Sequence, residues 1–182
     1  MLQAASYAIW LANGNVPDTA PADFQAGLMN GFNGATVWTL MRECWKPDQH
    51  MADSCDAFIA AAEAKDWSTV ENTIKEFVPE VEVDITDCLD QNKPEYKPVA
   101  DQYYLHQHTV MAARKDPDWQ IKILRATLPH KSDISAYIAD AEAKWNAGDY
   151  FNSGVALGKV EAIALSPWPQ TSTEPIEAQY LY

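Results

Sequence analysis

The chain matches itself at an offset of 79 residues: Phe58-Ile59-Ala60-Ala61-Ala62-Glu63-Ala64-Lys65 aligns with Tyr137-Ile138-Ala139-Asp140-Ala141-Glu142-Ala143-Lys144. Both copies are runs of strong helix formers, and each leads through a short turn into a second amphipathic segment. Such a unit is a helical hairpin, which buries its apolar stripe only by packing on other helices. The fold class expected is all-α, a helical bundle of about six to seven helices built from two related helical-hairpin halves.

Turn chemistry agrees with this reading. Asp66 and Asp149 stand where a carboxylate accepts the free N–H groups opening the next helix, and Gly148 suits a left-handed C-cap. A first long helix is expected from residue 21 to about 44, carrying Phe24, Leu28, Gly31 or Phe32, Ala35, Trp38, Met41 and Trp45 at helical spacing. Gly27, Gly31 and Gly34 fall near one side of it, and Gly154 and Gly158 repeat the four-residue interval in the last long helix. Each mid-helix glycine costs about 1 kcal/mol against alanine, so several of them predict two backbones in close approach. Asp, Asn and Pro punctuate residues 79–98, which read as a linker holding a short helix near 81–89. Helices are expected again over 99–114, after Asp116-Pro117 with Trp119, Ile121, Leu124 and Leu128, and from an N-cap at Ser132. The organisation expected is an N-terminal arm (1–20), a first helical half (21–90), a linker (91–99), a second helical half (100–166) and a C-terminal tail (167–182).

Apolar residues make up 47% of the 182, enough for a substantial core without disulfides. None of the apolar stretches reaches the roughly 20 residues a membrane span needs, and residues 1–12 have no basic region of the kind that opens a signal peptide. With 26 acidic against 13 basic side chains, the net charge of −13 argues against nucleic acid and anionic lipid as partners. The charge is also lopsided: residues 1–91 carry −11 and residues 92–182 carry −2. Within the second half, Arg114, Lys115, Lys122, Arg125 and Lys131 outnumber Asp116 and Asp118, a patch suited to the acidic half of a neighbouring copy.

The cysteines, Cys44, Cys55 and Cys88, fall at helix ends that gather at one pole of an up-down-up arrangement. A disulfide between Cys88 and either Cys44 or Cys55 fits this placement, and three reduced cysteines fit it equally well. Adding His50 gives the ligand types of a zinc site, but without the close cysteine pairs such sites use. His106 and His108, two apart, point to different faces of a helix and read as packing residues. Asp84, Asp87 and Asp90 lack the calcium-loop pattern. There is no nucleophile elbow, phosphate loop, dinucleotide fingerprint or HExxH, so an enzyme is the third choice and no cofactor or metal is expected. Among seven Trp and eight Tyr, Trp38, Tyr103 and Trp145 are the candidates to line a site for a hydrophobic or aromatic small molecule. Trp10, Trp168, Tyr180, Leu181 and Tyr182 are the candidates to mediate association.

Phe24-x-x-Gly27, Gly31-Phe32, the scattered cysteines and Gly148-Asp149-Tyr150-x-x-x-Gly154 together resemble a pattern in uncharacterised all-helical proteins of ciliate-like protists. That pattern is a Phe-x-x-Gly-Phe-x-x-Gly helix, two or more cysteines and a closing Gly-Asp-Tyr-x-x-x-Gly helix, and it covers most of the chain. Here Gly31 precedes Phe32, and Gly34 follows only two residues later. The resemblance implies a helical fold and a secretory route, and it transfers no catalytic residue. The function expected is a non-catalytic structural protein, extracellular or vesicular, that self-associates through its termini and asymmetric charge. The alternative is a module holding a hydrophobic ligand between helices.

Overall fold

The computed structural model describes residues 20–45, 66, 68–69, 72, 86–90, 92–169 and 172–173. All regular structure among them is helical, with no strand: α1 (Ala20–Asn33), α2 (Trp38–Cys44), α3 (Thr86–Leu89), α4 (Lys97–Lys115), α5 (Trp119–Thr127), α6 (Lys131–Asn146) and α7 (Tyr150–Leu165). Two 3-10 turns, Pro94–Tyr96 and Leu128–His130, lead directly into α4 and α6. The expected all-α fold is the observed one.

Among the described helices, α1 and α7 make the most extensive contact. A Cβ on Gly27 would stand 1.9 Å from the Phe151 carbonyl oxygen, and one on Gly31 would stand 2.1 Å from that of Val155. Reciprocally, a Cβ on Gly154 would meet the Phe24 carbonyl at 2.1 Å and one on Gly158 the Leu28 carbonyl at 2.2 Å. Four glycines therefore let α1 and α7 lie backbone on backbone, as the paired spacings predict. The register advances in the same direction along both helices, Gly154 against Phe24 and Leu28 and Gly158 against Leu28 and Phe32, so α1 and α7 run parallel.

The long helix expected over 21–44 is two helices. Gly34 adopts φ +79° and its N–H donates to the Asn30 carbonyl at 2.7 Å. The Asn33 side chain then accepts from Ala35 N–H at 3.1 Å, and Asn30 Nδ2 donates to the Ala35 carbonyl at 2.8 Å. Two asparagines and a left-handed glycine close α1 locally, which outweighs the apolar spacing that runs on through the break. Gly34 thus serves as a cap, with open space around its Cα, and does not belong to the packing face of Gly27 and Gly31.

The α6–α7 connection follows its expected chemistry. Gly148 has φ +77°; its N–H donates to Trp145 O at 2.9 Å and that of Asp149 to Lys144 O at 2.9 Å, the paired bonds of a Schellman ending. Asp149 then caps α7 by accepting from Asn152 N–H at 3.3 Å, and Asp66 accepts from Thr69 N–H at 3.2 Å in the same way. Ser132 does not cap: α6 opens at Lys131, after His130, because the 3-10 turn feeds straight into it. The first repeat copy, 58–65, lies outside the described residues, whereas the second lies within α6.

Helices α1, α2, α3, α4 and α6 share one core. Phe24, Leu28 and Met29 of α1 cluster with Met41 and Cys44 of α2, Cys88 of α3, Val99 and Tyr103 of α4, and Trp145 of α6. Cys44 and Cys88 form a disulfide, with Cα atoms 5.0 Å apart; Cys55 lies outside the described residues. A bridge spanning 44 residues removes about 4 kcal/mol of chain entropy from the unfolded state on the loop-closure model. Ser153, buried, donates from Oγ to the Ala141 carbonyl at 2.8 Å and ties α7 to α6.

The glycine contact makes a measurable prediction. Gly154→Ala gains about 1 kcal/mol of helix propensity, yet its methyl collides with the α1 backbone, so urea unfolding should show a net loss of about 2 kcal/mol or more. Gly34→Ala meets no neighbour and should lose only about 1–2 kcal/mol, for left-handed φ. Equal or inverted losses would disprove the close-approach account.

Candidate functional site

Val99, Tyr103, His106, Thr109 and Ala113 form the buried stripe of α4, which puts His106 inside and His108 off the stripe. His106 Nε2 lies 3.1 Å from Glu161 Oε2 of α7, and the two residues are only 2% and 4% exposed. The Phe32 ring stands edge-on to the imidazole at 5.0 Å, and Thr109 Oγ1 is engaged by the Leu105 carbonyl at 3.0 Å. A carboxylate orienting an imidazole is an arrangement used in acid–base catalysis. Here both groups are closed in by packing, so the pair acts as an internal tie between α4 and α7. Glu161 was not singled out from the sequence. The signal was present, since Glu161 follows Gly154 and Gly158 at helical spacing in a helix whose one other charged residue is Lys159.

A second polar cluster holds α2 against α1. The buried Asp23 carboxylate accepts from Trp38 Nε1 at 2.5 Å, from Arg42 Nη2 at 2.6 Å and from Arg42 Nε. The hydrogen bond to Asp23 raises the Arg42 pKa further, and the guanidinium lies over the Trp38 ring, 4.7 Å from its centroid. Phe151 also packs on that ring, at 5.1 Å. Trp38 nonetheless remains 42% exposed, whereas Met41 and Trp45 of the same expected stripe are buried.

The three aromatics expected to line a ligand site have different neighbours. Trp38 packs on Phe151, Trp145 on Phe24 and Tyr150 at 5.6 and 4.9 Å, and Tyr103 on Tyr104 at 5.6 Å. None of these ring contacts joins two of the three. The disulfide occupies the sulfurs of Cys44 and Cys88, removing the thiolates that a zinc site with Cys55 and His50 would need; His50 lies outside the described residues. Among the described residues there is no group of three or more His, Cys, Asp or Glu that could hold a metal. Asp87 pairs with Lys93 Nζ at 2.7 Å, Asp90 accepts from Asn92 N–H at 2.9 Å, and Asp84 lies outside the described residues. No described helix is long and apolar enough to cross a membrane.

Trp168, expected to be available for association, is buried within its own chain. Its Nε1 donates to Asp116 Oδ2 at 2.9 Å. Asp116 also binds Lys122 Nζ and accepts from Asp118 N–H at 2.9 Å. Led by the Lys122 contact, followed by those of Trp168 and Asp118, these bonds hold the Asp116 carboxyl down to about 2. One carboxylate thus gathers the end of α4, the flank of α5 and the residues after α7. Trp10, Tyr180, Leu181 and Tyr182 lie outside the described residues.

The surface around α5 differs from the rest. Arg114 and Lys115 end α4, Arg125 lies on α5 and Lys131 opens α6, all exposed. Among them stand Ile121, Leu124 and Leu128, also exposed, together with Trp119, which is 37% exposed. This basic and apolar corner is the described surface best suited to contact another molecule. No family model, no curated protein and no solved structure matches the chain.

Two outcomes test these assignments. The depressed Asp116 pKa stabilises the fold above the unfolded value of about 3.9, and that contribution is lost as pH falls towards 2. The stability difference between wild type and Asp116→Asn should therefore be constant from pH 7 to about 5 and shrink to almost nothing by about pH 1; a full-sized difference that persists there would refute the role of the charge. For the internal tie, Glu161→Ala should cost about 1–3 kcal/mol by orphaning His106, whereas His106→Leu with Glu161→Leu should recover most of that loss in thermal unfolding.

Proposed function

We propose that this protein is a non-catalytic structural building block that associates with copies of itself. The observation that carries this reading is charge segregation: residues 1–91 carry −11, while Arg114, Lys115, Arg125 and Lys131 crowd the exposed corner around α5. A basic corner on one copy attracts the net negative charge of the next, and complementary charge of this kind guides how two molecules meet. The sealed His106–Glu161 pair fits a protein whose polar interior serves packing. Trp168 is spent inside the chain, so the association proposed here relies on charge, and the terminal aromatics Trp10, Tyr180, Leu181 and Tyr182 are secondary contributors.

A disulfide persists in oxidising surroundings, which favours an extracellular or secretory-vesicle location. The second repeat copy in α6 is followed by a capped turn and α7, and Asp66 caps after the first copy, which favours two related helical hairpins. The competing function, a hydrophobic ligand held by Trp38, Tyr103 and Trp145, has less behind it because those rings pack on different neighbours.

Light scattering on the full-length protein at low and high salt is the test. A species several times 20.3 kDa at about 20 mM salt that shifts towards the monomer at about 1 M salt, where charges are screened beyond about 3 Å, is the expected result. A 20.3 kDa monomer at both ionic strengths would overturn the proposal.

A further inference from the structure

Helix α5 is turned the wrong way for a helix that only completes its own fold. Ile121 and Leu124, with Leu128 just past the helix end, follow one another at spacings of three and four on its outer side and are 51, 60 and 66% exposed. Lys122, Ile123, Ala126 and Thr127, on the opposite side, are the half-buried ones, and no residue of α5 is buried. Surface helices ordinarily direct the apolar stripe to the core and the polar stripe to water. The inversion is stabilised locally: Lys122 is tied to Asp116, and Thr127 Oγ1 donates to its own helix at Ile123 O, 2.8 Å away. On neighbouring α6, Ile138 adds another aliphatic side chain that is 50% exposed.

We infer that this outer face of α5, with Ile121, Leu124 and Leu128 at its centre, is the surface on which a second copy of the chain docks. The inference rests on the self-association proposed above and names the site. Charge complementarity selects the occupant. Exposed Arg114 and Lys115 stand at one end of α5, Arg125 lies within its aliphatic stripe and Lys131 stands at the other end. Of the acidic groups in this stretch, Asp116 is already engaged by Lys122 and Trp168, leaving Asp118. Residues 114–131 carry +3, so with a total of −13 the remainder carries −16, of which residues 1–91 supply −11. That remainder is drawn to the patch of a neighbouring copy and is repelled by an anionic lipid surface. An apolar centre ringed by charge is the anatomy of a protein interface. Because the two surfaces differ, each added copy leaves one of each free, and association continues into a ring or an open chain.

The test compares full-length wild type with Leu124→Glu/Leu128→Glu and, separately, with Arg125→Glu/Lys131→Glu, by light scattering over a concentration series. All four positions are exposed, so helical circular dichroism and melting temperature should match wild type. The expected result is a wild-type multimer, about 30-fold or more weaker association in the leucine variant, and a lysine/arginine variant that is weaker at low salt but equal to wild type at high salt. If wild type associates and the leucine variant keeps the same mass, this face is not the interface, and self-association stands without it. If wild type is a monomer throughout, both fall. Sedimentation of wild type, and not of the leucine variant, with phosphatidylserine vesicles would overturn the second copy as occupant in favour of a membrane.

Discussion

The contact of α1 with α7 sets the terms for everything else. Four mid-helix glycines forgo about 4 kcal/mol of helix propensity, and the return is a pair of helices whose main chains touch. At that distance Cα–H groups face carbonyl oxygens, and flanking side chains reach across to third helices instead of filling the gap between the two. Phe24 is thereby free to meet Trp145 of α6, and Phe32 to meet His106 of α4. The buried carboxylate at Glu161, three residues beyond Gly158, is presented to α4 by the same close fit.

Much of this centre is legible in the residues themselves. The interval Gly27–Gly31 matched by Gly154–Gly158 signals close approach because nothing else justifies the cost of glycine in mid-helix. Gly148-Asp149 is a stop followed by a start, and it behaves as one. These features are local or periodic, so one sequence suffices to read them. The break at Gly34 was obscured because apolar spacing continues across it, although Asn30, Asn33 and Gly34 carry the chemistry of a helix end.

Pairings across the chain were harder. Nothing in the neighbourhood of Glu161 names His106, 55 residues away, and nothing near Trp168 names Asp116. Trp38 and Trp119 have the spacing of core residues, but spacing reports which residues share a face and leaves open which way that face turns. In α5 the answer is outward, and only tertiary placement could supply it. The ligand-site candidates show the same limit: Trp38, Tyr103 and Trp145 are bulky aromatics on helices, and each found a separate place in the packing.

The parallel pairing of α1 with α7 also fixes when the protein can become itself during synthesis. Gly154 and Gly158 leave the ribosome long after Gly27 and Gly31, so α1 waits, with its seam open, for the more than one hundred residues between them. Contacts so distant in sequence are the slow kind to form. A nascent chain that stalls before α7 emerges carries an exposed glycine-lined groove and an uncovered Phe24. Helix α7 is therefore the latch: a translating cell holds a soft, unfinished molecule until residues 150–165 have emerged, and a compact one shortly afterwards.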